Sequence, residues 1–200
     1  EEDLAEAPPE SRRVLGSILR EVDRLTDITE QYLRLVRLPD PKLVAIDLSL
    51  LVREVAEFLA PEMQQGNVEL ELAIADVPKV AVDEGQLRQA LLNLARNARE
   101  AMPEGGDARL TLKPPAGGVT LSVNDAGSGI AESERTKVFD LFYTTKEHGT
   151  GLGLSLTQEI VAAHRGHIRC EASDLGGTRF AIWLPVARVD ELEPSEALGP

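Results

Sequence analysis

Cysteine is almost missing from this chain. The single Cys170 in 200 residues excludes an intramolecular disulfide and any multi-cysteine zinc site, which fits a reducing compartment. Long apolar runs are missing too. No stretch approaches the ~18 consecutive apolar residues of a membrane helix. Basic residues are scarce, with 21 Lys and Arg against 34 Asp and Glu, net −13. That balance excludes sequence-independent nucleic-acid binding, which needs cations to neutralise phosphates, and disfavours an anionic membrane surface. Any phosphate must instead be met by backbone N–H groups, a helix N-terminus or a divalent metal. The opening Glu1-Glu2-Asp3 is neither a signal peptide nor an initiator methionine, so a piece of a longer protein is expected, itself cytoplasmic whether or not the parent is membrane-anchored.

What is present reads as globular: 42% hydrophobic and 28% charged residues, enough for one domain with an appendage. Residues 1–10 are acidic, carry two prolines and predict a disordered lead-in. Residues 11–38 predict one helix, with Leu15, Ile18, Val22, Leu25, Thr29, Tyr32 and Val36 alternating at spacings of three and four. Ile28, Leu33 and Leu35 widen that seam toward a bundle of three or four helices. An amphipathic helix lying on its own domain would show the same pattern. Pro39-Asp40-Pro41 ends the helix in a stiff linker, 39–42.

Residues 43–186 then alternate between strand and helix periods. Strands are expected at 43–47, 68–74, 80–82, 109–113, 119–124, 167–171 and 178–184. Helices are expected from Ser49 to Gln65, ended by Gly66-Asn67, and from an Asp83/Gln86 capping box to Met102. A weak helix over 133–139 and a strong one over 154–165 complete the set. Strands in pairs with intervening helices predict an α+β two-layer sandwich, a mixed sheet with helices on one face. Residues 187–200 form an acidic tail. Residues 1–40 hold net −4 and 190–200 another −4, leaving only −5 for 41–189.

Four segments carry candidate chemistry. Asn93 and Asn97 lie at i and i+4 on one helix face and offer two neutral amide oxygens to a hard cation or a polyphosphate. Two surface asparagines would look the same. Asp125-Ala-Gly-Ser-Gly129 follows a strand, and a carboxylate fixed there can accept from an exocyclic amine, although such segments often mark only a turn. Gly149-Thr-Gly-Leu-Gly-Leu154 runs into a helix whose N–H groups can meet an anion. It has neither the Lys-Ser/Thr of a P-loop nor the spacing of a Rossmann turn. Gly176-Gly177-Thr178 alone suggests a hairpin turn.

In this order and spacing, the four segments resemble the N box, two glycine boxes and closing Gly-Thr of the histidine kinase catalytic domain. That domain belongs to the wider family shared with gyrase, the Hsp90 chaperone and MutL, with a Bergerat-type ATP-binding fold. Val138-Phe139-Asp140-Leu141-Phe142-Tyr143-Thr144-Thr145-Lys146 is similar to the kinase F box, and the helix over 11–38 to the second helix of a dimerisation hairpin. The likeness covers 11–186 and is strongest to the nitrogen-sensor-like branch of sensor kinases.

The resemblance implies that Asn97 holds Mg²⁺ and Asn93 faces the phosphates. Asp125 would take the adenine amino group, supported by Thr178 through water, with Gly127 and Gly129 shaping the wall. Residues 130–151 would form a mobile ATP lid anchored by Phe139 and Phe142. Gly149, Thr150, Gly151, Leu152 and Gly153 would hinge that lid and bring its backbone to the phosphates, and Lys146 would reach them from the lid. The implied activity is an ATP-dependent protein-histidine kinase. Its implied partners are a second copy in the parent protein and a response-regulator receiver domain.

The chain departs from the family at two points. Many members carry a basic residue three positions after the second asparagine; Glu100 stands here, with Arg96, Arg99 or Lys146 as substitutes. The phospho-accepting histidine is the other. His148 reads as a solvated lid residue and His164 and His167 as surface positions, none in the acceptor's context. Self-phosphorylation by this chain is therefore not expected. Two alternatives remain at this stage: an interaction module with a degenerate pocket, or an ATPase or serine kinase of the same superfamily.

Overall fold

The computed structural model describes residues 9–146 and 149–186. Most of the expected lead-in, the acidic tail and His148 lie outside them. Helix α1, Pro9–Val36, begins inside the expected lead-in and ends before the Pro39-Asp40-Pro41 linker. Strand β1 (Val44–Ile46) pairs antiparallel with β3 (Val80–Val82) in a small two-stranded sheet.

Five strands make the main sheet: β2 (Val68–Ile74), β4 (Gly106–Lys113), β5 (Gly118–Asp125), β6 (His167–Ala172) and β7 (Thr178–Pro185). Their order is β2-β4-β5-β7-β6. Only β2 and β4 run parallel, joined through β3 and a helix; the other pairs are antiparallel, so the sheet is mixed. Alternation decides its faces. Ala108, Leu110 and Leu112 of β4 and Val119, Leu121 and Val123 of β5 enter the core. Their neighbours Arg109, Thr111, Ser122 and Asn124 form a polar network on the opposite face, where Arg109 also pairs with Glu71 and Asp174.

Helices α2 (Leu48–Gln65), α3 (Glu84–Glu100) and α4 (Gly153–Ala163) supply the second layer. Seven apolar side chains of α2, from Leu48 to Met63, recur at three- and four-residue spacing and are buried. Each of the six larger ones contributes roughly 1.5–3 kcal/mol by leaving water. The result is the α+β two-layer sandwich that the pattern of elements predicts.

Local chemistry differs from expectation in three places. Asp47, not Ser49, caps α2: its carboxylate accepts from the Ser49 N–H at 2.8 Å. Gly66-Asn67 ends α2 as expected, with Asn67 left-handed at φ 52°. The Asp83/Gln86 capping box is half made. Asp83 accepts from the Gln86 N–H at 3.0 Å, but the Gln86 amide donates to the Pro39 carbonyl instead of returning to Asp83. The weak helix over 133–139 resolves into two 3₁₀ turns, Glu132–Glu134 and Lys137–Phe139.

The histidines after α4 divide. His167 is exposed and stacks on Trp183, with ring centroids 5.1 Å apart. His164 is 1% exposed, which corrects its reading as a surface residue. Its Nδ1 lies 2.7 Å from the Ile160 carbonyl, and its Nε2 accepts from the Asp83 N–H at 2.8 Å. A carbonyl can only accept, so the proton sits on Nδ1 and the ring takes up an orphan N–H at the start of α3. A histidine beside a helix end reads as polar surface because its long-range partner, 81 residues away, leaves no local pattern.

Candidate functional site

Helix α3 buries Leu87, Ala90, Leu91, Leu94, Ala95 and Ala98 and leaves Asn93 and Asn97 half-buried on a neighbouring stripe. The two asparagines have different partners. Asn93 Nδ2 donates to Thr157 Oγ1 at 2.9 Å, and Thr157 donates to the Gly153 carbonyl at 2.9 Å. A Cβ on Gly153 would stand 2.5 Å from Asn93 Oδ1. Glycine is therefore required where the second glycine box becomes α4, and the N box and that box are locked together.

Asn97 Oδ1 instead accepts from Lys146 Nζ at 2.9 Å, and the same ammonium is paired with Glu100. Of the three basic candidates near Glu100, Lys146 is the one that arrives. Arg96 and Arg99 turn to Glu62, at 3.2 and 3.3 Å.

Across the site, β5 ends at Asp125, whose side chain is 2% exposed. Its Oδ1 accepts from the Gly127 N–H at 2.9 Å and the Thr178 N–H at 3.0 Å, so one oxygen is saturated by backbone from both flanking loops. Burial pushes this carboxyl above the usual carboxylate range, and the two N–H donors pull the other way. Thr178 supports Asp125 directly through its backbone. Gly177 is the residue that sequence reasoning left out of the site. A Cβ there would lie 2.1 Å from Asp125 Oδ1, a demand visible beforehand only as a glycine beside Thr178. Gly127 abuts the Ala101 carbonyl, and Gly129 turns the chain at φ 72°.

The two phenylalanines expected to anchor the 130–151 segment are held differently. Phe139 is buried and meets Phe180 edge-on at 6.2 Å. Phe142 stays exposed, holds φ 64°, and stacks on Tyr32 of α1 at 6.5 Å. The Phe142 N–H donates to the Gly151 carbonyl at 3.1 Å, closing the loop between them. Gly151 has φ 68°, and a Cβ on it would meet the Phe142 backbone at 2.4 Å. Gly149 packs against the Thr144 hydroxyl, Thr150 Oγ1 accepts from the Leu152 N–H at 3.3 Å, and Leu152 is fully buried. The twelve sequence-predicted site residues thus lie on α3, at the end of β5 and in the loop beyond it, at the start of β7, or in the 130–151 segment and its junction with α4.

Comparison with known proteins agrees with this geometry. Residues 82–188 match the family described as histidine kinase-, DNA gyrase B- and HSP90-like ATPases. The sensor histidine kinase ZraS of Escherichia coli (strain K12) is 33% identical over 185 residues. The match takes in 92% of this chain but only 40% of ZraS. Full-length ShkA, solved in complex with AMPPNP, superposes with TM-score 0.75 at 31% identity, over 92% of this chain and 40% of that one. ThkA, solved in complex with the response regulator protein TrrA, gives TM-score 0.76 at 27% identity, over 91% and 53%. The chain belongs to the histidine kinase-, DNA gyrase B- and HSP90-like ATPase family, as a histidine kinase ATP-binding catalytic domain.

Proposed function

We propose that this chain binds Mg-ATP between α3, the β5 end and the lid. It then passes the γ-phosphate to a histidine imidazole on a dimerisation helix outside the chain, for relay to a response-regulator aspartate. One observation carries the reading: the buried Asp125 carboxylate, with Oδ1 saturated by backbone N–H groups, keeps its second oxygen for an exocyclic amine. Adenine presents such an amine. Asn93 faces the phosphates, Asn97 holds the metal, and Lys146 serves the phosphates from the lid, with Gly149, Thr150, Gly151, Leu152 and Gly153 supplying backbone. Gly127, Gly129 and Thr178 shape the base pocket.

The donor set suits a hard cation, because Asn97 Oδ1 and Glu100 already converge on an ammonium. When bound, the metal neutralises phosphate charge, which is most of what phosphoryl transfer asks of a protein. The Lys146–Glu100 pair answers the departure at position 100: the acid is neutralised by a lid residue. Among the described residues, neither histidine suits the acceptor role. His164 has both nitrogens engaged in a buried site, and His167 stacks on Trp183.

The parent protein acts as a homodimer through the apolar face of α1, where Leu15, Ile18, Val22 and Leu25 are exposed. This part of it works in the cytoplasm and contacts neither nucleic acid nor membrane, whether or not the parent is membrane-anchored. Among the described residues no helix is long and apolar enough to cross a membrane.

The test supplies a separate acceptor hairpin and labelled ATP. Acid-labile label is expected on the hairpin and none on this chain alone. Calorimetry is expected to show ATP affinity more than tenfold weaker for Asn97→Ala and for Asp125→Ala. Unchanged affinity in both variants would sink the site assignment.

A further inference from the structure

Asn97 and Glu100 lie three residues apart on one face of α3, and both direct an oxygen at a single cation, the Lys146 ammonium. An exposed ion pair contributes little and needs no third partner. Here the ammonium, which has three donors and no acceptor, is shared between a carboxylate and a neutral amide oxygen. These are the donor types that hard divalent cations select, and Mg²⁺ is commonly held by one or two protein oxygens with waters and substrate phosphates. An acid at position 100 is ill suited to touching a phosphate, yet well suited to a metal that does. The cation now in the seat belongs to Lys146, in the segment that leads into α4.

We propose that Glu100 is a second protein oxygen of the metal seat beside Asn97, and that Lys146 is a tethered competitor for it. Ammonium and divalent metal exclude each other there, and metal entry releases the lid lysine toward the phosphates. With Lys146 seated, the charge of seat and lysine together is zero. A divalent ion leaves the seat at +1 and sends a further positive charge to the phosphate side. The inference rests on the ATP-binding reading and adds to it a residue and an order of events.

The experiment uses Mn²⁺ alone, followed by electron paramagnetic resonance, on this chain and on Lys146→Met, Glu100→Gln and the double variant. Both side chains are exposed, at 42% and 45%, so neither change touches the core; circular dichroism checks the fold. Lys146→Met is expected to bind Mn²⁺ at least tenfold more tightly than the unmodified chain, and adding Glu100→Gln is expected to remove that gain. No gain in Lys146→Met, or a gain that survives Glu100→Gln, would overturn the proposal. A fluorescent ATP analogue is titrated against the same proteins to separate the two ideas. Nucleotide binding with flat Mn²⁺ affinities overturns the seat alone. The expected Mn²⁺ pattern with no nucleotide binding supports the seat and overturns the ATP-binding reading.

Discussion

Asn93 Oδ1 occupies the space that a side chain on Gly153 would need, 2.5 Å from the ideal Cβ position. The amide cannot simply swing away, because its nitrogen is held by Thr157 Oγ1. Gly153→Ala is therefore expected to push the start of α4 off α3, costing about 1–3 kcal/mol as overpacking does. Nucleotide affinity should fall about tenfold with it. Combining Gly153→Ala with Asn93→Ala should recover most of the lost stability, since the shorter side chain makes room. Urea titration of the four proteins reads this non-additivity; strictly additive losses would reject it.

Asp125 separates stability from binding. Burial raises its carboxyl above 3.8, so the ionised form costs the fold something at neutral pH. Asp125→Asn keeps an Oδ1 for the Gly127 and Thr178 N–H groups but turns an amide donor toward the base amine. At pH 7 the variant should unfold at the same temperature or higher while binding ATP more than tenfold more weakly. The sign fixes the pH behaviour. A raised folded pKa gives stability that is present at low pH and lost as pH rises through it. The thermal gap between the two proteins should thus close on acidification, at a pH above 3.8. A gap that widens on acidification would contradict the burial argument.

Removing His164 should be felt at the far end of α3. His164→Ala leaves the Asp83 N–H and the Ile160 carbonyl without their ring partner and opens a cavity between the two helices. The expected cost is about 2–4 kcal/mol. Chemical denaturation measures it directly, and hydrogen exchange should show the first turn of α3 losing protection before the rest. Loss confined to α4 would mean the link to Asp83 carries nothing.

Most of the architecture was legible because its signals are local. The alternation in Val68–Ile74, the Asp83 cap and the turn-flanked pair β4–β5 each announce themselves within a few residues. Asn93, Asn97, Asp125 and the glycine boxes were legible as motifs, since their spacing follows from helix and turn geometry. The misses share one cause. His164 reaching Asp83, Gln86 reaching Pro39, Gly177 making room for Asp125 and Phe142 meeting Tyr32 are all contacts between segments far apart in sequence. Local pattern holds no record of them. Asn67 and Phe142, left-handed without being glycine, were hidden for the related reason that their neighbours, not their own propensities, impose the backbone.

The segment between α1 and the sandwich has a mechanical meaning. Leu38 packs on Ala90, Leu156 and Ile160, the Pro39 carbonyl accepts from Gln86, and the Lys42 N–H donates to Asp83. Three fastenings within five residues make this a pivot rather than a slack tether. Asn93 lies seven residues beyond Gln86, about 10 Å along α3 at ~1.5 Å per residue. The chain leaving α1 is thus fastened at the root of the helix that carries both asparagines.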